Sequence, residues 1–156
     1  MGELAVSRMP GEVLVSIGLG SCIGLALVDR VRSVAGLAHV MLPESTGAPD
    51  AENRFKFADQ AVPALLDRVL ALGAVQTRLE AVLVGGARMF SFGGSSLDIG
   101  ARNEEATLAQ LATHGVSVRA QATSGTKGRT IRVHVDGCRV LCREAGGVEE
   151  TLLGVA

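Results

Sequence analysis

The sequence predicts an α+β domain in which two main helices cover a largely antiparallel or mixed sheet. Two nearly continuous apolar runs of strand length, Ile23 to Val28 and Val34 to Leu42, indicate strands that are buried on both faces. Two later segments repeat apolar residues at helical spacing. An Asp136-Gly137 pair between two alternating runs is typical of a β-hairpin. The predicted element order is therefore β-β-β-α-β-α-β-β-β.

Length and composition limit the class of protein. A chain of 156 residues is expected to form one domain, residues 1–156, that buries its own core. The net charge is −1, Trp and Tyr are absent, and thirteen arginines are scattered along the chain, so we expect no nucleic-acid partner. Glu3 and Arg8 exclude a secretory signal from the first ten residues, and no apolar run reaches the length of a membrane span. We expect a cytoplasmic protein without membrane insertion.

The first predicted strand, Val13 to Ile17, leads into a cysteine framed by glycines. Gly18 and Gly20 interrupt the strand and let the backbone approach a neighbour or a ligand closely. Cys22 follows this bend. An antiparallel hairpin between the next two strands, joined by residues 29–33, would bring His39 back toward Cys22.

A cysteine next to a histidine is the minimum equipment for nucleophilic acyl chemistry, because the thiolate attacks and the imidazole transfers protons. Backbone N–H groups around Gly20 and Ser21 suit an oxyanion hole. Ser16 is the nearest candidate for a third group that orients the imidazole. The residues alone leave a second interpretation open, since a free cysteine and a histidine in an apolar strand are often core residues.

The middle of the chain supplies a helix, a strand and two loops. The helical pattern starts at about Phe55 and ends at Gly73, and Pro63 should kink the helix or mark a restart. Leu79 to Val84 reads as a buried strand. The polar loop from residue 44 to residue 53 is placed to form one wall of a substrate cleft.

A glycine-rich segment, residues 85–94, follows the predicted strand and contains Met89 and Phe90. It lacks the Gly-Lys-Ser/Thr of a phosphate loop. The apolar pair belongs either to the core or lid, or to a surface that contacts a protein substrate.

The last third predicts a second helix and a hairpin. Asn103 is the expected N-cap of that helix, and Gly115 ends it. In a two-residue hairpin at Asp136-Gly137, Val135 pairs with Cys138, and the apolar residues through Cys142 share one face. That register points His134 away from both sulfurs, so we expect core cysteines and no metal site.

Six short motifs occur in order along the chain: Gly18–Cys22, Ala38–Pro43, Ala58–Asp59, Gly85–Phe90, Ile99–Asn103 and Gly128–Arg129. Together they resemble the chemoreceptor glutamine deamidases of bacterial chemotaxis, the CheD family. The resemblance extends over roughly residues 13–143.

The resemblance implies a layered α/β sandwich and a cysteine hydrolase that converts receptor glutamine side chains to glutamate without a cofactor. Cys22 would be the nucleophile, His39 the base, and Ser16 would stand where the family usually has threonine. The implied substrate is the cytoplasmic domain of a chemoreceptor. The resemblance also implies binding to a CheC-type phosphatase, so the alternative is a catalytically weak regulatory partner of that phosphatase.

Overall fold

A computed structural model describes residues 2–45, 53–89 and 98–155, and these residues contain nine β-strands and two α-helices. The strands are β1 (Leu4–Ser7), β2 (Val13–Leu19), β3 (Ile23–Asp29), β4 (Val34–Val40), β5 (Glu80–Gly85), β6 (Ser117–Thr123), β7 (Arg129–His134), β8 (Arg139–Glu144) and β9 (Glu149–Leu153), and the helices are α1 (Ala58–Ala71) and α2 (Ile99–Thr113).

The strands form two sheets. The first has five strands in the order β1-β4-β3-β5-β6, and only its β5–β6 pair is parallel. The second has four antiparallel strands in the order β2-β7-β8-β9. The prediction of an α+β fold with a largely antiparallel or mixed sheet is confirmed.

Helices and sheets pack in three layers. The helices cover one face of the five-stranded sheet, where Leu25 of β3 shares a buried cluster with Leu65 of α1 and Leu111 of α2. The opposite face meets the four-stranded sheet, where Ala26 of β3 shares a second cluster with Ile131 of β7. Because β3 and β4 lie between two apolar layers, both strands are apolar on both faces.

The central hairpin has the predicted form. Strand β3 pairs with β4 in antiparallel register, with Gly24 opposite His39. Every residue of the two strands is buried except His39, which is half-buried. The buried hairpin predicted from the two apolar runs is therefore confirmed.

Two strands are absent from the predicted order. Strand β1 has only four residues and pairs with β4 at the edge of the first sheet. Strand β9 pairs with β8, and its burial is low throughout. Both lack a clear apolar pattern because each lies at a sheet edge, where few side chains are buried.

Helix α1 begins later than predicted and passes through its proline. A short 3₁₀ turn, Arg54–Lys56, precedes it, and the helix proper starts at Ala58. Pro63 lies inside one continuous helix, so of the two predicted effects, a kink or a restart, the restart is wrong. Neither α1 nor α2, with 14 and 15 residues, combines the length and apolarity needed to cross a membrane; this holds for the part of the chain that is described.

The prediction that Asn103 caps the second helix is wrong. Helix α2 begins at Ile99, and its cap is Asp98, five residues before Asn103; the Asp98 carboxylate accepts the N–H of Ala101 at 2.9 Å. Asn103 lies inside the helix and is fully buried. The cap preference of asparagine is a local tendency, which here yields to tertiary hydrogen bonds.

The β7–β8 hairpin keeps the predicted register but not the two-residue turn. Ile131 lies opposite Cys142, as expected. Val135 and Cys138 are not a strand pair, because residues 136–138 form a 3₁₀ turn in which Cys138 has a φ of 48°. The turn still directs Cys138 into the core, and both Cys138 and Cys142 are buried.

Candidate active site

The two sheets bring Ser16 and His39 into contact. Ser16 lies on the inward face of β2, between the exposed Val15 and Ile17. Its Oγ is 3.3 Å from Nδ1 of His39 on β4. The contact spans two different sheets, so it depends on how the layers pack.

Cys22 lies immediately before β3, on the same face of the sheet as His39. The register that pairs Gly24 with His39 would set Cys22 opposite Met41, which makes Cys22 and His39 diagonal neighbours. Cys22 also packs against the apolar cluster between the sheets. The fold therefore gathers Ser16, His39 and Cys22 at one end of the inter-sheet layer.

The second ring nitrogen of His39, Nε2, is buried and has no hydrogen-bond partner in the part of the chain that the structure describes, and this includes the Cys22 thiol. A base at Nε2 requires the tautomer in which Nδ1 carries the proton and donates to Ser16 Oγ. In the absence of substrate, a loose thiol–imidazole geometry is common in such sites.

Burial holds both groups neutral. Burial raises the pKa of Cys22 above its usual range and lowers the pKa of His39 below 6.5. The resting pair is therefore a thiol and a neutral imidazole, not an ion pair. A neutral imidazole is the form that accepts the thiol proton as a general base.

Backbone carbonyls of the turn that carries Cys22 are held by three donors. Gly20 O accepts from the N–H of Ala87 at 2.9 Å, and Cys22 O accepts from the N–H of Gly86 at 2.8 Å. Ser21 O accepts from the side-chain amide of Asn103 at 3.0 Å. We refer to residues 20–22 as the nucleophile turn.

Two N–H groups of the same turn, those of Ser21 and Cys22, have no acceptor among the described residues. A carbonyl and the N–H of the following residue point in opposite directions across a trans peptide. The bonds to the carbonyls therefore fix the directions of two adjacent N–H groups, and backbone N–H groups are the donors from which oxyanion holes are built.

Gly85 is required where β5 approaches the turn. Its φ is +111°, and a Cβ there would lie 2.2 Å from Cys22 O. Arg129 also contacts this segment: its Nη1 donates to Gly85 O at 3.4 Å and to Ser124 O at 2.7 Å, and its Nη2 pairs with Glu144 at 3.2 Å. Among the motif residues, Gly85, Asn103 and Arg129 had no predicted role at the site.

One apolar side chain and one groove border the site. Met89 lies over Gly20, where an added Cβ would be 3.0 Å from Met89 Cγ, and 43% of Met89 is exposed. Phe90 and most of the predicted cleft-wall loop, residues 46–52, lie outside the described residues. A groove of about 110 Å³ between β1 and β2 reaches Ser16 and His39.

The other two cysteines are buried core residues. Burial raises the pKa of Cys138 to about 11, and its Sγ is 3.5 Å from Val34 O. Such a thiol is a poor nucleophile at neutral pH. The described ranges contain no cluster of three or more His, Cys, Asp or Glu side chains that could hold a metal ion.

Comparison with known proteins gives matches along most of the chain. A family model described as CheD chemotactic sensory transduction matches residues 41–144. A probable chemoreceptor glutamine deamidase CheD from Symbiobacterium thermophilum is 43% identical over 155 residues, which cover 97% of this chain and 94% of the relative. A chemoreceptor glutamine deamidase CheD from Thermotoga maritima is 41% identical over 150 residues, covering 96% and 92%. A probable one from Clostridium novyi is 41% identical over 140 residues, covering 88% and 86%.

Proposed function

Because the chain belongs to the CheD family, we propose that it is a chemoreceptor glutamine deamidase, a hydrolase that converts glutamine side chains of receptors to glutamate. The observation that carries the proposal is the meeting of Ser16, His39 and the nucleophile turn at one end of the inter-sheet layer. Because the proposed substrate is the cytoplasmic domain of a receptor, the reaction would take place in the cytoplasm.

In the first half of the reaction, Cys22 Sγ attacks the side-chain carbonyl carbon of glutamine while His39 Nε2 takes the thiol proton. The carbonyl oxygen becomes an oxyanion that accepts hydrogen bonds from the N–H groups of Ser21 and Cys22. The carbon–nitrogen bond then breaks, and protonated His39 gives its proton to the leaving nitrogen. Ammonia and a thioester on Cys22 result.

In the second half, water attacks the thioester carbon while His39 takes a proton from the water. The carbon–sulfur bond breaks, protonated His39 returns its proton to Cys22 Sγ to restore the thiol, and a glutamate side chain is released. Ser16 keeps Nδ1–H engaged throughout, so that the lone pair of Nε2 faces the reacting atoms.

Apolar side chains around the nucleophile turn would contact the protein substrate. Met89 covers Gly20, Ile17 follows Ser16 along β2 and is 75% exposed, and Leu42 follows β4 and is 36% exposed. Exposed apolar side chains near a reactive group are typical of a surface that binds another protein. Phe90 remains a predicted member of this contact surface.

The test is turnover of a receptor cytoplasmic fragment, followed as ammonia release and as glutamine-to-glutamate conversion in its peptides. Cys22→Ala should abolish both while the protein stays folded. Cys138→Ala is the matched control: it should lower the free energy of unfolding by about 1–3 kcal/mol through lost packing, with turnover retained.

Turnover that persists in Cys22→Ala, or that disappears in a well-folded Cys138→Ala, contradicts the assignment of the nucleophile. The alternative role, a regulatory partner of a CheC-type phosphatase, predicts a different outcome. The phosphatase would then bind wild type and Cys22→Ala alike, and receptor glutamines would stay unchanged with both.

A further inference from the structure

The buried amide of Asn103 joins helix α2 to both halves of the candidate site. Its Nδ2 donates to Ser21 O at 3.0 Å and to Met41 O at 2.9 Å. Ser21 precedes the nucleophile, and Met41 lies two residues beyond His39 at the end of β4. One side chain therefore sets the spacing between the nucleophile turn and the strand that carries the base.

The orientation of this amide follows from its surroundings. Nδ2 supplies two donors to two carbonyl oxygens, whereas Oδ1 is buried and has no partner among the described residues. The reversed amide would place Oδ1 against both carbonyls. The site thus uses the two donors of Asn103.

The bond to Ser21 O also affects the oxyanion hole. Ser21 O and the N–H of Cys22 belong to the same trans peptide and point in opposite directions. A donor that holds Ser21 O therefore holds the direction of the Cys22 N–H, which is free in the described structure. Without that donor, the peptide plane can rotate.

We propose that Asn103 is a positioning residue for deamidation, whose amide orients the Cys22 N–H toward the oxyanion and holds the nucleophile turn against the end of β4. The inference rests on the proposed function and extends it to a residue of α2. Asn103 acts through the backbone of the turn and does not touch the substrate.

The test compares Asn103→Ala with Thr107→Val. Thr107 is fully buried one turn farther along α2, and its hydroxyl donates to Asn103 O at 2.8 Å, inside the helix. Both variants should melt at a lower temperature than wild type. Only Asn103→Ala should lower kcat on the receptor fragment, by about tenfold or more, with a much smaller change in KM.

Alkylation of Cys22 by iodoacetamide, read at the Cys22 peptide, separates the two parts of the proposal. The thiolate displaces iodide without forming an oxyanion, so this rate depends on the thiol and not on the Cys22 N–H. In Asn103→Ala the alkylation rate should fall much less than kcat. Equal losses would overturn the role in the oxyanion hole.

Asn103→Asp is a second variant, in which the new side chain has nearly the same shape as asparagine. It also tests the proposal if Asn103→Ala does not fold. An ionised carboxylate repels the two carbonyl oxygens, whereas a protonated carboxyl donates to one of them. The ratio of its kcat to that of wild type should therefore rise as the pH falls. A ratio that does not change with pH would contradict the proposal.

An active wild type together with unchanged kcat in folded Asn103→Ala overturns the inference alone. A wild type that leaves every receptor glutamine intact, with Thr107→Val equally inactive, overturns the proposed function and the inference with it. Loss of kcat to the same degree in Asn103→Ala and Thr107→Val would reduce Asn103 to a stabilising residue.

Discussion

At the scale of the residue, the proposed mechanism depends on the hydroxyl of Ser16. Its hydroxyl lies 3.3 Å from His39 Nδ1. Ser16→Ala should lower kcat by about tenfold or more without changing the fold, because the imidazole loses the bond that selects its tautomer. Ser16→Thr should match or exceed wild type, since a second substituent on Cβ restricts χ1 of the same hydroxyl.

The measurement for both variants is turnover of the receptor fragment beside a melting curve. A wild-type rate in Ser16→Ala would remove Ser16 from the site. An inactive wild type next to an active Ser16→Thr would favour the regulatory role over the enzymatic one.

At the scale of the element, Asp29 fixes the end of the β3–β4 hairpin. It is fully buried and accepts the N–H groups of Val31, Arg32 and Val75, at 3.0, 3.1 and 2.8 Å. Burial on its own raises the pKa of Asp29, but these three bonds and the charge of Arg78 outweigh it, so the pKa lies below 3.8. The ionised carboxylate therefore stabilises the folded state.

The sign of the pH effect follows from this lowered pKa. The stabilisation is complete above the unfolded value of about 3.8, and it is lost as the pH falls through the lower folded value. Asp29→Asn should cost about 1–3 kcal/mol at neutral pH, because its Nδ2 would face an N–H donor. The difference from wild type should shrink in acid.

The check is the free energy of unfolding of both proteins from about pH 7 down to about pH 2. Asp136→Asn is the control, because Asp136 is exposed and the amide oxygen of the new asparagine can still accept the Gly11 N–H. We expect its free energy of unfolding to change by no more than about 0.5 kcal/mol. A pH-independent difference between Asp29→Asn and wild type would contradict the role of the carboxylate.

At the scale of the whole molecule, two glycines of the β3–β4 hairpin lie where the first sheet packs against its two neighbouring layers, Gly24 against the second sheet and Gly36 against helix α1. A Cβ at Gly24 would lie 2.7 Å from Leu19 Cδ1, on the side of the second sheet. A Cβ at Gly36 would lie 2.7 Å from Val69 Cγ1 and 2.8 Å from Leu65 Cδ1, on the side of helix α1. Both sites are closely packed, but only Gly24 faces the layer that contains the candidate site.

Gly24→Ala and Gly36→Ala should each lower the free energy of unfolding by about 1–3 kcal/mol, because added volume strains a packed core. Gly24→Ala should also lower turnover, since Leu19 leads directly into the nucleophile turn. Gly36→Ala should leave turnover near that of wild type. Equal effects of the two variants on turnover would mean that the site does not depend on the spacing of the sheets.

The elements set by local pattern were predictable from the sequence. The β3–β4 hairpin follows from two apolar runs, helix α1 from its apolar repeat, and the β7–β8 register from Asp136-Gly137. The cysteine and histidine stood out because a glycine-framed cysteine and a polar residue in an apolar strand are visible in one dimension. Edge strands β1 and β9 were missed because their short, half-exposed segments carry little pattern.

By itself, the sequence determined the α+β class and the buried β3–β4 hairpin, and it singled out Cys22 and His39 as candidate reactive residues, because periodicity and residue chemistry are local properties. Only the tertiary structure decided that Asp98, not Asn103, caps α2, and that Asn103 instead holds Ser21 O and Met41 O. The same holds for the contact between Ser16 and His39. The hydrogen bonds of Ser16 and of the Asn103 side chain join residues 23 to 82 positions apart, and such partners are fixed by the packing of layers, which no local pattern records.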